Sequence, residues 1–173
     1  AGFISLAAIP IDLAKISFLN NAINHGVLMP LGAAEAAESG KSIFFLLETN
    51  PGAGLGLLIA YSIAGSGVWR RLAPGAMVIH FLGGIHEIYY PYVLAKPIMF
   101  IALWAGNIAA NLWFVATDAG LVTFPSPGSI FAYIGVLPPD GAFAVLGGVA
   151  IATIVTAIVG VILLKKFPIK NIP

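Results

Sequence analysis

The sequence predicts an all-α integral membrane protein, built of several transmembrane helices plus re-entrant helical hairpins. Three observations carry that prediction. The chain of 173 residues is 60% hydrophobic and 9% charged, with a mean hydropathy of +1.00, whereas a soluble domain carries about 25% charged residues. Its long uncharged runs end in paired cations, Arg70-Arg71 and Lys165-Lys166, which is how membrane topology is encoded. Between those runs stand short polar clusters with Gly and Pro, a composition for chain that turns inside a membrane protein instead of crossing.

Residues 1–23 are apolar apart from Asp12, Lys15 and the pair Asn20-Asn21. They predict a helix interrupted near Pro10, with Asp12 and Lys15 spaced three apart for contact on one face. Residues 53–69 form a short candidate span ended by Arg70-Arg71; the run 43–47 extends it as a broken helix across Glu48, Asn50 and Pro51. Residues 97–116 and 142–164 are long enough and apolar enough to cross a bilayer. The first has Pro97 at the first turn, where a missing N–H costs nothing, and its Asn107 and Asn111 share one face.

Two stretches are apolar yet unsuited to crossing. Residues 72–87 contain Pro74 and Gly83-Gly84, and residues 124–137 contain Pro125, Pro127, Gly128 and Gly135. Both read as re-entrant hairpins, near 72–96 and 120–140. Charge parity supports the first. If Arg70-Arg71 and Lys165-Lys166 both face the cytoplasm, an even number of crossings separates them. The runs 97–116 and 142–164 supply two, so 72–96 leaves and returns on one side, with Gly83-Gly84-Ile85-His86-Glu87 at its tip.

Composition also excludes functions. A net charge of +1, with cations paired at segment ends, offers no footprint for nucleic acid. The absence of cysteine rules out disulfides, cysteine zinc sites and a cysteine nucleophile on this chain. Gly40-Lys41-Ser42 ends like a phosphate-binding loop, but Glu35 holds the required upstream glycine position. Residues 52–57 miss the dinucleotide fingerprint, with Leu57 where its last glycine belongs, and His86-Glu87 begins a zinc-protease pattern that Tyr90 breaks. No metal site, cofactor site or nucleophilic triad emerges. Gly52 and Gly56 are spaced for close helix packing.

The polar clusters are the candidate site. A charged side chain at membrane depth costs at least ~2.5–3.5 kcal/mol on insertion scales, so Glu87 at a hairpin tip points to a polar cavity. The bland alternative leaves it wet in the headgroup region, where Tyr89, Tyr90 and Tyr92 also fit. Asn20-Asn21-Ala22-Ile23-Asn24-His25-Gly26 places three amides and an imidazole at the end of an apolar segment. Its bland alternative is a capped helix C-terminus. Glu48-Thr49-Asn50-Pro51-Gly52 again joins a carboxylate and an amide to a chain break. Transporter sites are built from such broken segments, and this inventory of donors and acceptors suits a neutral polyhydroxylated ligand.

Four blocks carry a family resemblance: LNNAINHG (19–26), GKSIFFLLETNPGAGLG (40–56), HFLGGIHEIYYPYVL (80–94) and SPGSI (126–130). Together they resemble the membrane permease, enzyme IIC, of the bacterial phosphoenolpyruvate-dependent sugar phosphotransferase system, in its mannitol-like branch. The resemblance implies that residues 1–173 form the C-terminal half of a permease domain in the bacterial cytoplasmic (inner) membrane. It implies a multi-pass protein that binds and translocates a sugar or hexitol, coupled to phosphorylation by a separate IIB domain. The implied partners are the sugar, the phosphorylated IIB domain, membrane lipid, and a second copy as a homodimer or a partner half-permease. In the family pattern the His of the NxxNHG block and the Glu of the GIxE block bind sugar hydroxyls, here His25 and Glu87. Asn24, Glu48, Asn50 and His86 match the surrounding blocks as further substrate-binding candidates. Two readings stand beside this one: a proton-coupled secondary sugar transporter in which Glu87 or His25 carries the proton, and a half-permease that needs a partner subunit.

Overall fold

The computed structural model describes residues 2–17 and 19–168. These form helices joined by short loops, with an isolated β-bridge between Ser42 and Leu121. In chain order the α-helices are α1 (Gly2–Leu6), α2 (Ala8–Ile16), α3 (Asn20–Ile23), α4 (Met29–Ser39), α5 (Phe44–Thr49), α6 (Gly52–Ala64), α7 (Gly67–Phe81), α8 (Tyr90–Leu94), α9 (Phe100–Ala116), α10 (Ile130–Gly135) and α11 (Ala142–Lys166). A π-helical turn, Asn24–Leu28, joins α3 to α4, and 3₁₀ turns at His86–Tyr89 and Pro97–Met99 lead into α8 and α9.

The scaffold is a sheaf of α6, α9 and α11, with α11 packed along both partners. Small residues set its spacing. A methyl group added at Gly52 or Gly56 of α6 would meet the main chain of α11 at Val149 or Thr153, and one at Gly106 of α9 would meet Thr156. Backbones thus approach closely, the packing that works without a hydrophobic drive between helices in lipid. Leu57, Leu58, Tyr61, Leu103, Phe114 and Val145 fill the remaining space and are fully buried. Outside, α11 exposes Ile154, Ile158 and Ile162 at four-residue intervals, an apolar stripe with no polar side chain to satisfy. The segments Pro97–Ala116 and Ala142–Lys166 are long and apolar enough to cross a membrane. The protein is an all-helical membrane protein.

α9 and α11 run antiparallel. The Trp113 indole N–H donates to the Ala144 carbonyl at 2.9 Å at one end. At the other, the Lys96 ammonium donates to the Phe167 carbonyl, just beyond Lys165-Lys166. Arg70 lies at that cationic end too, where α8 returns: the Trp69 and Tyr92 rings are 5.2 Å apart, and the Tyr61 hydroxyl donates to the Tyr92 carbonyl at 2.7 Å. The chain therefore climbs along α7, reverses at residues 82–85, and comes back to where it started. Gly84 makes the reversal with φ of +75°, a left-handed conformation that suits glycine. A second reversal comes from the opposite end, where the Val122 N–H donates to the Val136 carbonyl at 3.1 Å and the loop between them carries Pro125, Pro127 and Gly128.

Three elements differ from the sequence expectation. The N-terminal interruption falls at Ala7, because Pro10 sits within the first turn of α2, where its missing N–H has no partner to lose. The candidate span 53–69 ends early: α6 stops at Ala64, the chain extends at Gly65, and Trp69, Arg70 and Arg71 open α7. Gly26 caps nothing, since the helical path runs on from Asn20 through the π turn to Ser39. The expected break at Asn50-Pro51 is present. Asn50, forced out of helical geometry by the following proline, has ψ of 112°.

Candidate functional site

Four chain interruptions meet around one cavity of about 240 Å³. Asn20, Asn21, Asn24 and His25 come from α3 and the π turn; Glu48 and Thr49 from the end of α5. Gly84, His86 and Glu87 come from the first reversal, and residues 124–128 from the second. These are the four sequence blocks, now on one wall-to-wall surface. The volume lies below the ~300–1,000 Å³ typical of drug-sized ligands, a size for a small solute.

Each wall is held by bonds that its sequence makes possible. The two reversals meet where the His86 Nε2–H donates to the Gly128 carbonyl at 3.0 Å. A carbonyl only accepts, so the proton of neutral His86 sits on Nε2. Burial lowers the pKa of this imidazole, and the Lys15 ammonium lowers it further. His80 supports it from beneath: its ring meets that of His86 at 4.7 Å, edge to face, and its Nε2–H donates to the Pro51 carbonyl at 2.9 Å. The α5 wall is seated by the Thr49 hydroxyl against Tyr133 at 2.7 Å, and by Phe45 edge-on to Phe124.

Of the six candidate residues, five line the cavity. His25 and Glu87 are exposed there, whereas Asn24, Glu48 and His86 are buried. The Asn24 Oδ1 is buried with no hydrogen-bond partner among the described residues, an acceptor left unused at the cavity wall. Asn50 is not among the lining residues. Its Oδ1 accepts from the Gly52 N–H at 2.9 Å, closing a side-chain turn over Pro51 at the entry to α6.

Behind Glu48 lies a buried charged layer. The Lys15 ammonium donates to the Glu48 main-chain carbonyl and sits 3.7 Å from its carboxylate Oε1. Asp12 turns the other way and accepts two bonds from the Asn107 amide of α9, at 2.9 and 3.1 Å. Asn107 is midway along the Pro97–Ala116 segment, and the α5–α6 break packs on α11 at Val149 and Ala152. The cavity thus stands near mid-height of the two long helices.

Comparison with known proteins decides the family. The chain is 56% identical over 161 residues to a "PTS system mannitol-specific EIICB component" of Geobacillus stearothermophilus, an alignment covering 93% of this chain and 34% of the relative. It is 50% identical over 165 residues to a "PTS system mannitol-specific cryptic EIICB component" of Escherichia coli K12, covering 95% and 36%. To the "PTS system mannitol-specific EIICBA component" of the same organism it is 48% identical over 166 residues, covering 96% and 26%. The chain is homologous to the mannitol-type EIIC region. It spans about a third of the length of the curated relatives it matches. No protein-family model matches the chain, and no solved structure does.

Within this mannitol-type region, sequence reasoning missed the roles of His80 and Lys15. His80 received no role beyond opening the third block, and Lys15 read as a partner for Asp12 alone. The available signal was depth: an ionisable residue inside an apolar segment marks a functional layer until a partner is found for it.

Proposed function

We propose that this chain is the substrate-binding part of a bacterial inner-membrane permease that takes up mannitol or a closely related hexitol, phosphorylated on entry by a IIB domain. The convergence of four polar chain breaks on one small cavity near mid-height carries the reading, and the mannitol-specific relatives supply the substrate class. Glu87 accepts hydrogen bonds from adjacent sugar hydroxyls, each stronger for its charge. His25 orients the hydroxyl that receives the phosphoryl group. The unused Asn24 oxygen takes a further hydroxyl, and His86 holds the two reversals together at the edge of the site. Glu48, buried at the cavity wall, contacts the sugar from below.

In this reading both reversals are re-entrant, entering the bilayer from opposite faces and meeting at the site. Irregular backbone survives at that depth because protein and a wet cavity satisfy it. Residues 1–173 hold no cysteine, so the phosphoryl donor lies outside these residues. Phosphorylation makes uptake directional, because the charged product does not re-enter the site.

The test is equilibrium binding of mannitol, other hexitols and hexoses to the chain in membranes, followed by vesicle uptake with phosphorylated IIB protein. Mannitol binding and recovery of phosphorylated sugar inside the vesicles are expected. Uptake of unmodified sugar driven by a proton gradient would overturn the reading in favour of a proton-coupled transporter.

A further inference from the structure

We propose that Lys15 is a positioning residue of the sugar site, fixing Glu48 and the α5–α6 break against the cavity. The inference rests on the reading of that cavity as the sugar site. Lys15 is only 3% exposed and does not touch the cavity itself. Its ammonium nevertheless takes both groups that Glu48 offers, the main-chain carbonyl and the carboxylate. The carbonyl is one of the last in α5, a helix end with no following turn to satisfy it. The side chain of the same residue forms the cavity wall. One cation therefore sets the position of a binding group and of the chain break that presents it.

The arrangement is anchored to the scaffold. One turn earlier on α2, Asp12 is 1% exposed and its two carboxylate oxygens share the Asn107 amide N–H of α9. The chain of contacts runs from α9 through Asp12 and α2 to Lys15, and from Lys15 to Glu48. Stability alone is a poor explanation for it. Replacing a buried ion pair by apolar side chains of similar volume is often neutral or stabilising, and an apolar contact would hold α2 on α5 equally well. What an apolar contact does not do is orient a carboxylate.

The experiment is a double-mutant cycle on the full chain in membranes, comparing wild type, Lys15→Met, Glu48→Gln and the double variant by mannitol Kd. Lys15→Met is expected to weaken binding roughly tenfold or more, the coupling seen within one hydrogen-bond network. The double variant is expected to bind no worse than Glu48→Gln, because Lys15 acts through Glu48. A wild-type Kd for Lys15→Met, or single effects that multiply in the double variant, would overturn the proposal. A purely structural Lys15 would lower the unfolding temperature and leave the Kd of folded protein unchanged. Should Lys15→Met not accumulate, Lys15→Gln removes the charge while keeping a donor, and the same two outcomes apply.

An infrared readout is independent of sugar. The Glu48 carboxylate band, isolated by difference against Glu48→Gln, is expected to move when Lys15 is replaced; an unmoved band overturns the proposal. Glu87→Ala is run alongside. If it binds mannitol as wild type does, the sugar-site reading fails, while the infrared shift still decides whether Lys15 holds Glu48.

Discussion

The α6–α9–α11 sheaf and the polar cavity beside it are built by opposite uses of the chain. The sheaf is made of continuous helix, with small residues facing inward and isoleucines outward. The side chains at the cavity stand at or beside interruptions: α3 and the π turn after it, the end of α5 before the Asn50-Pro51 break, and the reversals with the residues that flank them at 84–87 and 124–128. A helix satisfies its own backbone and can face lipid anywhere. An interruption leaves main-chain groups that need partners, so it is confined to a place where protein or water supplies them. The same confinement brings polar side chains together. Polar side chains and broken backbone share one address for one physical reason.

That contrast can be broken from either side. The largest effect on folding is expected in the sheaf. Gly106→Leu drives a side chain into Thr156 of α11 and destabilises by about 1–3 kcal/mol or more, read as a lower unfolding temperature in detergent. Next comes the cavity: His25→Ala is expected to weaken mannitol binding about tenfold, one lost hydrogen bond to a polar ligand. Its unfolding temperature stays near wild type, because His25 is exposed and makes no side-chain hydrogen bond among the described residues. Asn50→Ala sharpens the boundary between the two. It removes the bond to the Gly52 N–H, at about 1 kcal/mol for a lost hydrogen bond, and mannitol affinity changes less than in His25→Ala. The smallest effect on binding is Tyr61→Phe at the base of the first reversal, which costs stability about 0.5–1.5 kcal/mol from the lost bond to the Tyr92 carbonyl. There the mannitol Kd is unaltered.

The two regions were also unequally legible in the sequence. The long helices announced themselves through length and hydropathy, and both are present at 97–116 and 142–166. The break at 48–52 was equally plain, because proline after Asn50 forbids a continuous helix. Local patterns failed where tertiary partners decide. Nothing in Asn24–Leu28 distinguishes a π turn from the α-helix on either side, yet such turns are frequent at functional sites. Asp12 and Lys15 looked like partners by spacing, and the structure gives each a direct contact elsewhere: Asn107 for Asp12 and Glu48 for Lys15. Those pairings join residues 95 and 33 positions apart, beyond the reach of any helical rule. His86 had the opposite fate, since its ring bonds to a main-chain carbonyl and edges the cavity at once.

The central claim is that the cavity where the interruptions meet binds a hexitol through Glu87. Equilibrium mannitol binding to wild type and Glu87→Gln, an isosteric change at an exposed cavity residue, tests it most directly. Saturable binding by wild type and loss of affinity of about 100-fold in Glu87→Gln, the scale of losing two charge-assisted hydrogen bonds, is the predicted result. Equal affinity of the two proteins for mannitol would contradict it.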